Sequence, residues 1–192
     1  MKSISFLFGL LLIKQIVCDN EVEKSFKKHE IITDQLTEAP KSLLKVEYAN
    51  GAIVNLGAEL TPKQAKLAPV KVSWTGDENS LYTLIFSDLD APSRKQPEFR
   101  EIIHWLLINI PLNKIEQGKI VYNYTGPWPP KNSGLHRYVH LVFKQPANLK
   151  NDKNFLNFKP EAVNSKAMNY SQMFKLGVPI AGNFFQCQWH KE

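Results

Sequence analysis

The sequence predicts a mainly β fold with a few short helices toward its ends. Three observations carry that prediction. Short apolar or alternating runs recur along the chain, at Leu43–Tyr48, Val70–Trp74, Leu81–Ser87, His104–Ile110 and His136–Phe143. Runs of this length, bounded by turn residues, suit strands better than helices. Twelve prolines and nine glycines break the chain between them, which favours loops over long helices. Strands and helices do not alternate, which argues against a parallel dinucleotide-binding sheet.

Taken in order, the first element is a removable one. Lys2 precedes an apolar run from Ile4 to Ile13, ended by Lys14 and Gln15. About ten apolar residues match a secretory signal peptide and fall short of the roughly 20 needed to span a bilayer. We therefore expect a signal peptide over residues 1–18, a single domain over 19–192, and a secreted, extracellular protein. Cleavage after Cys18 would remove Lys2 and Lys14 and no acids, so a net charge of +6 becomes +4. It would leave Cys187 alone among cysteines, expected as a buried thiol.

Next, Val22, Phe26, Ile31 and Ile32 have loosely helical spacing, which predicts a helix over 22–35. Leu43–Tyr48 alternates and reads as a half-buried strand. Asn50–Gly51 signals a tight turn, with Ala52–Leu56 as the return strand of a hairpin. Leu81–Ser87, His104–Ile110 and His136–Phe143 are apolar on both faces and read as central strands. Residues 164–176 predict a short helix closed by Gly177, and Phe184–Trp189 a last strand.

Composition excludes several functions. Two cysteines are too few for a disulfide scaffold or a four-cysteine zinc site. A mildly basic chain permits an anionic partner, and no basic–aromatic surface for nucleic acid is visible. No His-x-His or His-x-x-x-His pair suggests a metal; His136 and His140 are four apart, but on a strand that separates them by about 13 Å. Ser133–Gly134 is the nearest approach to a serine nucleophile and lacks a Gly-x-Ser-x-Gly setting. Two sequons, Asn123-Tyr124-Thr125 and Asn169-Tyr170-Ser171, fit a secreted glycoprotein.

The remaining chemistry concentrates in three pieces. Asp88 and Asp90 follow the strand 81–87 and would face one way if strand geometry continued, and Pro92 turns the chain. His104 opens the next strand. After the rigid loop Gly126–Pro130, period two places His136, Tyr138 and His140 on one face. Imidazole and phenol donors grouped beside Pro/Gly loops suit an anion with several oxygens, such as a phosphate. At each position the plainer alternative is a capping aspartate or a packed core histidine.

Two blocks of the chain resemble the signatures of the phosphatidylethanolamine-binding protein family. These are Asp88-Leu-Asp-Ala-Pro-Ser-Arg94 and Gly126-Pro-Trp-Pro-Pro-Lys-Asn-Ser-Gly-Leu-His-Arg-Tyr138. The resemblance implies an antiparallel β-sandwich with a few short peripheral helices and a shallow anion pocket at one end. By position it implies a lining of Asp88, Pro92, His104, Gly126, Pro130, His136, Tyr138 and Phe185, and a cis bond at Ala91–Pro92. Leu89 replaces the proline usual after the first aspartate, which suggests a looser loop. Phe99 and Phe185 stand where many relatives carry tyrosines, and Ile102 replaces a rim tryptophan. With little sequence beyond Trp189 to cover the pocket, we expect an open mouth.

The expected function is binding rather than catalysis, with no cofactor. The ligand would be an anionic small molecule or phospholipid head group, and a membrane surface a further partner. The alternative is an extracellular interaction protein such as a serine protease inhibitor, since the family includes protease inhibitors. A monomer is expected.

Overall fold

A computed structural model describes residues 21–156 and 161–191; the expected signal peptide lies outside them. The described strands are β1 (Ser42–Leu43), β2 (Lys45–Glu47), β3 (Lys71–Ser73), β4 (Leu81–Asp88), β5 (Ile102–Pro111), β6 (Lys119–Tyr122), β7 (His136–Lys144) and β8 (Ala181–Cys187). Six of them form one sheet in the order β1-β8-β7-β4-β5-β6, and β2 pairs with β3 apart from it. Every pairing is antiparallel except β1 with β8, which run parallel with Ser42 opposite Ala181. The expectation of antiparallel sheets therefore fails at this edge, and the large sheet is mixed. The mainly β character with short helices holds. The second sheet is only two strands wide, so loops complete its layer.

The two faces of the large sheet are both covered, which is why its central strands read as continuous apolar runs. On one face Leu84, Phe86, Trp105 and Val142 pack against Val46 and Val72 of the small sheet and Trp74 just beyond it. On the other, Ile85, Leu106, Val139 and Phe143 meet the N-terminal segment and the helix that carries Tyr170 and is capped by Phe174. That helix, Ala167–Met173, lies inside the expected span.

The expected helix 22–35 does not continue. Helix α1 covers residues 21–28, and a separate turn, α2, spans Ile31–Asp34 with Glu30 at φ 57° and Thr33 at φ 106°. The break has a cause beyond the local sequence. The His29 carbonyl is taken by the Arg137 guanidinium at 2.7 Å and by Arg94 at 3.2 Å, so it leaves the helical ladder. The hairpin at Asn50–Gly51 forms its turn, with Gly51 at φ 81° and its N–H on the Tyr48 carbonyl. The return arm is a single bridge, Glu47 to Ile53. Leu56 and Gly57, both at positive φ, bend the chain away so that the Gly57 N–H reaches the Phe184 carbonyl. The last strand starts at Ala181 and stops at Cys187, which leaves Trp189 outside the sheet. The four-residue edge strand β6 had no sequence signal of its own.

Candidate functional site

Antiparallel register brings the site together at one end of the large sheet. Asp88, last in β4, lies opposite both Ile102 of β5 and Tyr138 of β7. Tyr138 in turn lies opposite Phe185 of β8, and His136 opposite Cys187. Residues far apart in sequence thus end on one rim.

Asp88 is the hub. Its Oδ2 accepts from His136 Nδ1 at 2.9 Å, and its Oδ1 accepts the Asp90 N–H at 2.7 Å. The Tyr138 ring lies stacked against that of His136, 6.3 Å between centroids. Burial first, and then the Asp88 charge, push the Tyr138 phenol well above its ordinary range, so it stays a neutral donor. On its far side, His136 Nε2 lies 2.8 Å from Ser133 Oγ. That hydroxyl also lies 2.7 Å from the Pro130 carbonyl. A hydroxyl has one proton. Given to Pro130, it leaves Ser133 Oγ to accept from a ring with an N–H on both nitrogens; given to Nε2, it matches a ring whose single N–H is on Asp88.

Ser133, His136 and Asp88 are therefore aligned, although the local sequence around Ser133 gave no reason to expect it. The placement comes from the turn ahead of β7, where Asn132 and Gly134 both have positive φ. In either arrangement Ser133 holds the ring from the side away from Asp88.

His104 completes one wall. Its Nδ1 bonds the Thr125 carbonyl at 2.9 Å, and its ring meets Tyr138 edge-on at 5.3 Å. Burial lowers its pKa, partly offset by the Thr125 carbonyl and the Asp88 charge. Phe185 forms an apolar floor, stacked on Tyr138 at 5.4 Å. Gly126 is there because nothing larger fits: a Cβ would sit 2.8 Å from the Lys66 carbonyl oxygen and 2.9 Å from that of Ala65. Pro130 contributes its carbonyl. The Ala91–Pro92 bond is cis, and half-buried Pro92 contributes a turn rather than a polar group. Phe99 is exposed, and Ile102 is buried.

Three sequence expectations change. Asp88 and Asp90 do not face the same way, because the strand ends at Asp88. Asp90 turns to Arg137 and accepts from its Nε at 2.8 Å and its Nη2 at 2.7 Å. Burial raises the Asp90 pKa, but Arg137 outweighs it and the net shift is downward. The loop is not loosened by Leu89, whose side chain is fully buried and whose N–H bonds the Arg137 carbonyl at 3.0 Å. His140 shares the strand face of His136 but not the site. It stacks on Phe86 at 4.0 Å, neither ring nitrogen has a partner, and burial pushes its pKa down to about 3. It is a neutral core residue.

One feature had no sequence signal: a cleft of about 940 Å³ beside the rim, walled by Thr61, Pro62, Lys63, Lys66, Trp128 and Trp189 and sharing Gly126 with the site. The bonded cluster and this cleft are neighbours rather than one cavity. The hydrogen-bonding chemistry lies in the first, and the open volume in the second. Among the described residues, no cluster of three or more His, Cys, Asp or Glu could hold a metal ion. Asn123 and Asn169 are both exposed.

The family model for phosphatidylethanolamine-binding protein matches residues 37–185. The chain belongs to the phosphatidylethanolamine-binding protein family. It is 34% identical over 186 residues to "Putative odorant-binding protein A5" of Drosophila melanogaster, covering 96% of this chain and 88% of that protein. Its fold is similar to that of a carboxypeptidase Y inhibitor solved in complex with its cognate proteinase, with a TM-score of 0.73 and 26% identity over 90% of this chain and 97% of that one. The Plasmodium vivax phosphatidylethanolamine-binding protein also has a TM-score of 0.73, at 21% identity over 88% and 98% of the two chains.

Proposed function

We propose that the protein is an extracellular carrier that takes a phosphate-bearing small ligand, such as a phospholipid head group, at the Asp88–His136 site. The observation that carries this reading is the bonded chain Asp88–His136–Ser133 at the sheet rim. Asp88 holds the ring through Nδ1, so Nε2 and the Ser133 hydroxyl face the loop side. When Ser133 turns from Pro130 and the ring carries a proton on each nitrogen, both become donors to one anion. Bonds of this charge-assisted kind contribute roughly 1.5–3 kcal/mol each.

Binding rather than catalysis is our reading, supported by a family model named for phosphatidylethanolamine binding. The relative named for odorant binding is consistent with carriage of a small molecule. Export rests on the composition of residues 1–18, and the two exposed sequons fit it.

Calorimetric titration with phosphorylethanolamine tests the site. His136→Ala should weaken binding by about tenfold or more, since 1.4 kcal/mol is tenfold. Tyr138→Phe should cost less. Unchanged affinity in His136→Ala, with only a lower melting temperature, would make His136 a packing residue. A second reading, inhibition of an extracellular protease, draws on the likeness to the carboxypeptidase Y inhibitor. Assay against a panel of serine proteases decides it: inhibition without phosphorylethanolamine binding would replace the carrier reading.

A further inference from the structure

We propose that the cleft between Trp128 and Trp189 holds the hydrocarbon chain of a single-chain amphiphile whose phosphate-bearing head occupies the Asp88–His136 site. The proposal rests on the head-group reading above and names the class of ligand it serves.

The cleft is built for an apolar occupant. Along the strap Gly126–Pro130, Pro127 and Pro129 are buried while Trp128 between them is 58% exposed. Trp189 is 41% exposed just past the end of β8. Two large rings left open beside a concavity mark a binding surface more than chance exposure does. The volume falls in the range of small-molecule sites, roughly 300–1,000 Å³. Proline carries no N–H, so a strap with prolines at 127, 129 and 130 has few donors for a peptide backbone. A hydrocarbon chain needs none.

The cleft is also joined to the head-group site. The Trp128 ring lies 6.2 Å from the His104 ring, and the strap that lines the cleft from Gly126 to Pro129 runs on into Pro130, whose carbonyl lies 2.7 Å from Ser133 Oγ. The lysines of the cleft suit a chain through their methylene stems, which can lie along it while the ammonium groups stay in water. Lys63, Lys66 and Lys191 line the cleft, and Lys131 Nζ stands 5.2 Å over the Trp189 ring. Glu59, on the Trp189 side, is engaged by Gln188 at 2.9 Å and by His190 at 3.7 Å. A bilayer would satisfy the charge but not the concave shape.

The test is calorimetric titration with phosphorylethanolamine and with lysophosphatidylethanolamines of increasing chain length, each below its aggregation concentration. Affinity should rise with chain length, by up to about fourfold per methylene at full burial. Trp189→Ala should flatten that rise and leave phosphorylethanolamine affinity unchanged. A brominated acyl chain should quench tryptophan fluorescence in the wild type. Affinity independent of chain length, or a chain dependence untouched by Trp189→Ala without quenching, would overturn the cleft assignment and leave the head-group site standing. Chain-dependent binding with no phosphorylethanolamine binding would keep the cleft and overturn the head-group site. Binding to phosphatidylethanolamine vesicles but not to the monomeric lipids would overturn the proposal in favour of membrane docking.

Discussion

Arg137 shows how a single side chain organises this protein. Its guanidinium is fully buried and bonds Asp90 through two nitrogens, Asp34 at 2.6 Å and the His29 carbonyl at 2.7 Å. Removing one partner of a buried ion pair strands the other's charge, at a cost of about 3–5 kcal/mol. Arg137→Met should therefore lower stability by that order in chemical denaturation and release the turn at His29. Glu101 makes a different prediction. It is buried, accepts from Gln35 Nε2, Ser87 Oγ and the Ala167 N–H, and burial pushes its pKa from 4.5 up to about 7. The folded state then binds a proton that the unfolded state has released. Stability from this group is complete below about pH 4.5 and is lost as pH rises through about 7, on the order of 3 kcal/mol in all. Asp90, shifted downward, acts in the opposite sense and below its ordinary pKa, outside that window. The lowered pKa values of His29, His104 and His140 favour the fold as pH rises toward 6.5 in wild type and variant alike, so the readout is the difference. Between pH 5 and 8 the melting temperature of the wild type should drop relative to that of Glu101→Gln, and equal slopes would remove Glu101 as the cause.

At the scale of the element, the strap Gly126–Pro130 is the part most open to test. It lies against the carbonyls of Ala65 and Lys66 with no room for a Cβ on residue 126. Backbone oxygens cannot swing aside as side chains do. Gly126→Val should displace the strap, lowering stability by about 1–3 kcal/mol as overpacking does and weakening phosphorylethanolamine binding because Pro130 and Ser133 shift with it. Thermal melts and calorimetry on the same variant check both effects. The strand β7 is more tolerant toward its middle, where Val139, Leu141 and Phe143 only fill the helix-side core; substitutions there should change stability and leave affinity alone.

For the whole molecule, the expectation is export as a monomer with an open rim. N-terminal sequencing of the protein from culture medium should begin near Asp19, and an intact Met1 on protein confined to cells would remove the extracellular setting. Asn123 is exposed three residues before Gly126, so a glycan there would flank the rim. Enzymatic removal of that glycan should speed docking on large partners and leave phosphorylethanolamine affinity unchanged, measured by surface binding and calorimetry in parallel. Cys187 is fully buried, and burial pushes its thiol up to about 12. The protein should run as a monomer on non-reducing electrophoresis.

Much of this was legible from local pattern. The apolar runs located the central strands because a sheet covered on both faces demands them. The two signature blocks carried the family and named Asp88, His136 and Tyr138, with His104 placed between them by position. What local pattern could not supply was partnership between distant residues. Whether Asp88 and Asp90 share a face depends on where β4 stops, and that depends on Arg137 claiming Asp90 from β7. Whether residues 22–35 form one helix depends on the same guanidinium drawing off the His29 carbonyl. His136 and His140 have the same strand periodicity, yet one bonds a carboxylate at the rim and the other stacks unbonded on Phe86, because depth in the sheet is not written in period two. The sequence by itself determined the β framework and the residue types of the site. The tertiary structure alone decided their pairing and the cleft beside them, since burial and hydrogen bonding are properties of neighbours brought together by folding.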